Sequence, residues 1–251
     1  MGRFARAALE SGEARVIAVF ERSVYVETPA GLACIGVVGN GPLNAHCKEG
    51  AVAQLRGAAV GDLLNVDLSA AVDWCPRPAP ILYPALASRG LNRLRDAAHD
   101  RYPAEGFGFA IEPARPRPPA IEALAAWLAS PTTTPEAARG LIGLGPGLTP
   151  SGDDLIGGTL CALHAMSDAA LAKRLADWAL PIASEATNRI SNAHLACAAQ
   201  GECGDSVNNA IVALLGGKPP DLDRIDAIGH TSGWDALAGA ALALAARVHR
   251  S

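Results

Sequence analysis

Hydrophobic residues change their period about a third of the way along the chain. Residues 15–20 (RVIAVF), 23–28 (SVYVET) and 31–38 (GLACIGVV) are short, β-branched runs separated by turn-like pairs. They predict strands of an antiparallel meander. A further strand is expected at 62–68 (DLLNVDL), with a weaker candidate at 71–75. The signals over 44–57 conflict, and both helix and loop stay open there. CPRPAP at 75–80 is a rigid break. Beyond it the spacing becomes helical, with Leu86, Leu91 and Leu94 near one face of 84–99. Helices are expected at 84–99, 121–129, 135–142, 152–168, 170–179, 181–199, 205–215, 221–228 and 233–248. Pro181 is assigned to a first helical turn. A proline-rich linker is expected at 112–120. The fold class is therefore α+β. A small N-terminal antiparallel β domain (1–80) precedes a larger, mainly α-helical domain (81–251).

Composition narrows this picture. Half of the 251 residues are hydrophobic but only 4% are aromatic, so the core is expected to be built from small side chains and close backbones. The net charge is -4, with no basic stripe for nucleic acid or an anionic membrane surface. The first fifteen residues lack the apolar core of a signal peptide, and no stretch is a convincing membrane span. Six cysteines without a CxxC pair read as reduced thiols, which with the rest predicts a cytoplasmic location.

One phrase occurs twice. Residues 143–158 read GLGPGLTPSGDDLIGG and residues 229–240 read GHTSGWDALAGA. Aligned without gaps, Ser151, Gly152, Asp154 and Gly158 fall on Ser232, Gly233, Asp235 and Gly239. Each copy is a Gly/Ser/Thr loop with aspartate that runs into a small-residue helix. Gly143, Gly145 and Gly147 permit positive φ and can turn successive N–H groups toward one anion. Thr149 and Ser151 add hydroxyls, and the following helix start adds unpaired amides. Asp153 and Asp154 would repel a bare phosphate. A divalent cation beside them, a role as base, or a ligand with N–H donors resolves that conflict. The competing reading is a helix cap with tight packing at Gly157–Gly158. The loop carries no Walker sequence.

In the second copy His230 is a candidate acid/base. Trp234 replaces the first aspartate, as an apolar wall for a ligand or as core filling. Between the copies, Thr187, Ser191 and His194 share one predicted helical face, and Arg189 is a candidate carboxylate or phosphate clamp. In the first domain Asn40, Asn44, His46 and Lys48 form the other polar loop, with little support for zinc. The candidate catalytic residues are Asp153, Asp154 and His230. The candidate binding residues are Gly145, Gly147, Thr149, Ser151, Gly152, Thr187, Arg189, Ser191, Ser232, Gly233, Asp235 and Asn40. No metal ligand set is assigned.

The strings GLGPGLTPSGDDLIGG, TNRIS (187–191) and GHTSGWD resemble the DUF2877 family, which includes AllH-type subunits associated with oxamate carbamoyltransferase. The resemblance implies a subunit acting with FdrA-like partners in allantoin breakdown. The implied reaction moves a carbamoyl group between oxalurate and phosphate, giving oxamate and carbamoyl phosphate. Two other classes stay open. SGDDLIGG resembles the anion-holding loop of ribokinase-like phosphotransferases, although that fold needs strands alternating with helices. A non-catalytic ligand-binding partner is the third reading.

Overall fold

The computed structural model describes residues 1–47, 55 and 57–248. Lys48 and part of the ambiguous 44–57 segment lie outside the described residues. The chain divides into two compact units, Met1–Pro76 and Arg77–Ser251.

Among its described residues the first unit is a five-stranded sheet with helix α1 (Arg3–Glu10) packed on it. Its strands are β1 (Ala14–Val19), β2 (Ser23–Thr28), β3 (Gly31–Gly36), β4 (Asn44–His46) and β5 (Leu63–Leu64), in the order β4-β3-β2-β1-β5. The β1–β2, β2–β3 and β1–β5 pairs are antiparallel, as the meander predicts. The β3–β4 pair is parallel, so the sheet is mixed. Of 62–68 only Leu63–Leu64 forms a strand, and 71–75 forms none. Helix α1 (Arg3–Glu10) went unpredicted. It buries Ala5, Ala8 and Leu9, a spacing of one helical face, against Val16, Val24, Val26 and Ile35. Its face is mostly alanine, which carries little hydrophobic contrast.

The second unit contains no strand among its described residues. Its helices are α2 (Pro84–Ala98), α3 (Pro119–Ala129), α4 (Ser151–Ala165), α5 (Ala169–Ala186), α6 (Arg189–Ala198), α7 (Asp205–Leu215), α8 (Leu222–Asp226) and α9 (Ser232–Val248). Two 3-10 turns, Gly108–Ile111 and Glu136–Leu141, take the place of an unmarked segment and of the helix expected at 135–142. Pro119 opens α3 at the end of the proline-rich stretch. No described helix is long and apolar enough to cross a membrane.

The expected break at residue 180 is absent. Pro181 lies inside α5, and the chain breaks at Thr187 (φ -124, ψ 174) instead. A proline inside a helix removes one backbone hydrogen bond. Burial of Trp178, Ala179, Ile182 and Ala183 on either side of it carries the helix through. The new start is fixed by Asn188, whose side chain accepts from the amides of Ile190 and Ser191, both at 3.0 Å.

Helices α4 and α9, which follow the two copies of the repeated phrase, pack closely along each other. A Cβ built on Gly158 would lie 1.9 Å from the Ala236 carbonyl oxygen, and one on Gly239 would lie 1.9 Å from that of Leu155. Ala236 is the counterpart of Leu155, so the contact is reciprocal between the copies. The Thr159 hydroxyl lies between the Leu155 carbonyl (2.9 Å) and the Gly239 carbonyl (3.1 Å). Glycine is required at this crossing because backbone meets backbone.

Candidate functional site

The close crossing brings the two loops together at the helix starts. Thr149 Oγ1 lies 3.0 Å from Ser232 Oγ, and Ser151 Oγ lies 3.3 Å from Thr231 Oγ1. Each hydroxyl pair stands beside one carboxyl: Ser232 and Thr149 beside Asp154, Ser151 and Thr231 beside Asp235. The aspartate of each copy thus faces the serine of the other. Asp235 is 0% exposed. Its Oδ1 accepts from the Phe107 amide at 2.5 Å.

One oxygen of each carboxyl has no partner. Asp154 Oδ2 and Asp235 Oδ2 are buried and accept no hydrogen bond. An unsatisfied buried acceptor carries a desolvation cost of about 1–3 kcal/mol, more if charged. Burial raises the Asp154 pKa well above the usual carboxylate value, opposed by Ser232 and Thr149 and reinforced by Asp235 and Asp153. Burial also raises Asp235, opposed by the Phe107 amide and the Ser151 and Thr231 hydroxyls.

Asp153, next to Asp154 in sequence, has a different environment. Its Oδ1 accepts from the Gly143 amide at 2.7 Å, and its Oδ2 from Thr187 Oγ1 at 2.5 Å and Ser191 Oγ at 2.6 Å. Three donors from two segments converge on it. Asn188 adds a second tie, donating from Nδ2 to the Leu148 carbonyl at 2.8 Å. Asp153, Thr187 and Ser191 therefore join the glycine loop to the start of α6.

Gly143, Gly145 and Gly147 have φ of 75°, 118° and 101°. The loop uses some of its own donors. The Leu144 amide bonds to Leu141 O at 3.0 Å and the Gly152 amide to Leu144 O at 2.9 Å. Gly152 also abuts backbone, since a Cβ there would lie 1.8 Å from Leu141 O. Its counterpart Gly233 would meet Ile225 O at 2.3 Å. Both glycines are therefore needed for packing.

The remaining candidates are placed as follows. Arg189 is exposed at the first position of α6. His230 is 77% exposed, with Nε2 3.2 Å from Glu105 Oε2. Asn40 is exposed between β3 and β4 in the first unit. Trp234 is buried in the core, its indole N–H donating to Asp226 at 2.7 Å and its ring edge-on to Tyr102. No group of three or more His, Cys, Asp or Glu side chains suited to a metal occurs among the described residues.

Sequence reasoning missed the segment that completes the second loop. Gly106 (φ 76°) lies against Asp235: a Cβ there would fall 2.6 Å from Oδ1 and 3.0 Å from Oδ2. The next residue supplies the Phe107 amide. The signal was the string GFGF at 106–109, glycines set between aromatics just before the proline-rich stretch.

His194, half-buried on α6, has its pKa lowered by burial from 6.5 to about 4. The unfolded chain then binds the proton more readily than the folded one. This contribution to stability is intact above about 6.5 and is lost as pH falls toward about 4. Denaturation of the wild-type chain, compared with His194→Gln across that window, is expected to show the wild type losing stability faster. A pH-independent gap between the two would contradict it.

The loops, the α6 start and the α4–α9 crossing fall within one stretch of sequence. Residues 141–244 match the family model of the oxamate carbamoyltransferase subunit AllH. The AllH match begins at Leu141, just before the glycine loop, and ends within α9, so it contains both copies of the repeated phrase. The sheet unit and residues 77–140, including the Gly106–Phe107 segment, lie outside it. No curated protein and no solved structure matches the chain.

Proposed function

We propose that the paired loops form the ligand site of a carbamoyltransferase-type subunit, acting on oxalurate or oxamate and on phosphate or carbamoyl phosphate, with FdrA-like partner subunits. The observation that carries this reading is the pair of buried, unpartnered carboxyl oxygens on Asp154 and Asp235, within a segment that matches AllH. A carbamoyl or amide group offers the N–H donors that such oxygens lack. A developing oxyanion or a phosphate needs the opposite, and the amides of Gly145, Gly147 and Ser151 supply donors from the loop and the helix start. Arg189 is assigned to the carboxylate of the oxamate portion. Thr149, Ser151 and Ser232 orient the carboxyls, while Asp153, Thr187 and Ser191 hold the glycine loop in place. A divalent cation near Asp153 and Asp154 is not needed in this reading. The kinase-like alternative is disfavoured by a second unit without strands among its described residues.

Calorimetry against oxamate, carbamoyl phosphate, phosphate and ATP tests the reading, with the chain alone and with its partner subunits. Oxamate or carbamoyl phosphate is expected to bind, and Asp154→Asn to weaken binding about tenfold, the loss of one hydrogen bond to the buried oxygen. Binding of ATP alone, or unchanged affinity in Asp154→Asn, would refute it.

A further inference from the structure

The two carboxyls have a feature that ligand recognition alone does not require. They are related by the exchange of the two helices. Asp154 on α4 lies beside Ser232 at the start of α9, and Asp235 on α9 lies beside Ser151 at the start of α4. Two hydroxyl–hydroxyl contacts, at 3.0 and 3.3 Å, tie the helix starts together around them. Both Oδ2 atoms are buried and lack a donor, and Asp235 is wholly enclosed. Two buried carboxylates within electrostatic reach of each other, each with an empty acceptor, are a costly arrangement if both are ionised. A single proton between them removes most of that cost.

We infer that Asp154 and Asp235 work as one carboxyl–carboxylate pair that holds a single transferable proton, with Asp154 as the donor. This rests on the carbamoyl-transfer reading above for its chemical role, though not for the existence of the pair. Asp154 is the better carrier of the proton. Asp235 Oδ1 already accepts from the Phe107 amide, which favours the ionised form. Asp154 has no backbone donor and has two acidic neighbours, Asp153 and Asp235. Of the other charged groups, Glu105 and His230 pair at 3.2 Å beside the second loop, and Arg189 stands at the start of α6, which Asp153 ties to the first loop.

The pair balances the reaction. An oxygen of hydrogen phosphate attacks the carbamoyl carbon, and a C–O bond forms. The C–N bond to the amide nitrogen breaks, and that nitrogen takes the proton of Asp154 as it leaves. The proton of the hydrogen phosphate reaches the Asp235 carboxylate through the Thr231 hydroxyl, which gives its own proton to Asp235 and takes the one from phosphate. The pair ends with one proton, as it began, on the other member. The reverse direction uses the same two groups in exchanged roles, which an arrangement reciprocal between the helices permits. A neutral Asp154 also removes much of the repulsion that two adjacent aspartates would exert on phosphate.

Infrared titration of the full chain tests the pair without any turnover. A protonated carboxyl band is expected at neutral pH, absent from Asp154→Asn. In Asp235→Asn the band is expected to titrate at lower pH, because a neighbouring negative charge has gone. In Ser232→Ala it is expected to titrate at higher pH, because a hydroxyl that favours the ionised form has gone. A band that survives in Asp154→Asn, or a midpoint that neither Asp235→Asn nor Ser232→Ala moves, would overturn the pair. The catalytic role is read separately in the complex with partner subunits. Asp154→Asn is expected to lower kcat by about 10²–10⁴-fold, beyond its roughly tenfold effect on binding. A carbamoyl donor with a more acidic leaving nitrogen is expected to recover most of that loss, which a merely structural defect would not allow. A normal infrared pair without carbamoyl transfer would overturn the functional reading and leave the pair standing. Transfer that is unimpaired in Asp154→Asn would overturn the donor role.

Discussion

Gly158→Ala is expected to destabilise the helical unit by about 3 kcal/mol, while Gly157→Ala, one residue away, is expected to be neutral or stabilising by up to about 1 kcal/mol. The two glycines have the same intrinsic cost in a helix, so propensity favours alanine at both. Their surroundings differ. A Cβ at Gly157 meets Ala198 Cβ at 3.7 Å and Leu195 Cδ2 at 3.9 Å, ordinary van der Waals contact. A Cβ at Gly158 would sit 1.9 Å from the Ala236 carbonyl oxygen, a fixed backbone atom. Helices α4 and α9 must then separate. That weakens the Thr159 contact to Gly239 O and opens voids around buried Leu155, Leu237 and Ala240. Gly239→Ala is expected to cost a similar amount through its mirror contact with Leu155. The double variant is expected to cost clearly less than the two single costs together, because the first methyl already separates the helices. Urea denaturation checks all four variants. Equal effects at Gly157 and Gly158, or full additivity at Gly158 and Gly239, would contradict the crossing.

The Asp153→Asn variant is expected to lose about 3 kcal/mol, which for a protein of this size lowers Tm by about 10 °C. The carboxyl accepts from Gly143 N, Thr187 Oγ1 and Ser191 Oγ. An asparagine keeps one acceptor oxygen and turns an NH2 group toward donors, so one or two of the three bonds are lost in a buried site. The Gly143 loop and the start of α6 should loosen together, since Asp153 is their common partner. Asp154→Asn mimics the protonated side chain and is expected to keep the wild-type Tm at neutral pH. The two variants therefore separate a residue that ties the loop to the helix start from the one proposed to carry the proton. Thermal melts at pH 7 test this, and a larger loss in Asp154→Asn than in Asp153→Asn would reverse the assignment.

These contrasts indicate what could be read in the chain. The α+β division followed from a change in period, because alternation and 3.6-residue spacing leave different traces in the order of apolar residues. Helix α7 was legible to the residue, with Gly204 before it and Gly216 after it. The N-terminal helix was not, since alanine-rich faces give little contrast. Pro181 misled for a related reason: its local rule is strong, but the buried residues flanking it outweighed one lost hydrogen bond. The candidate site was marked by its unusual density of glycine, hydroxyl and carboxylate. Asp153 and Asp154 were indistinguishable there. Adjacent residues on a helix project about 100° apart, so neighbours in sequence enter different environments.

The sequence by itself determined the kinds of element, the two copies of one loop-and-helix phrase, and the types of side chain those loops carry. These depend on residue type and on short-range spacing. The tertiary structure alone decided that the copies meet face to face, that Gly158 and Gly239 are the points of contact, and that Asp154 and Asp235 each face the other copy's serine. It also brought Gly106 and Phe107 to Asp235 from more than a hundred residues away. The reason is that burial and hydrogen-bond partnership belong to the packing of helices distant in sequence. No local pattern states which of two identical carboxyls will be satisfied and which will be left with an empty acceptor.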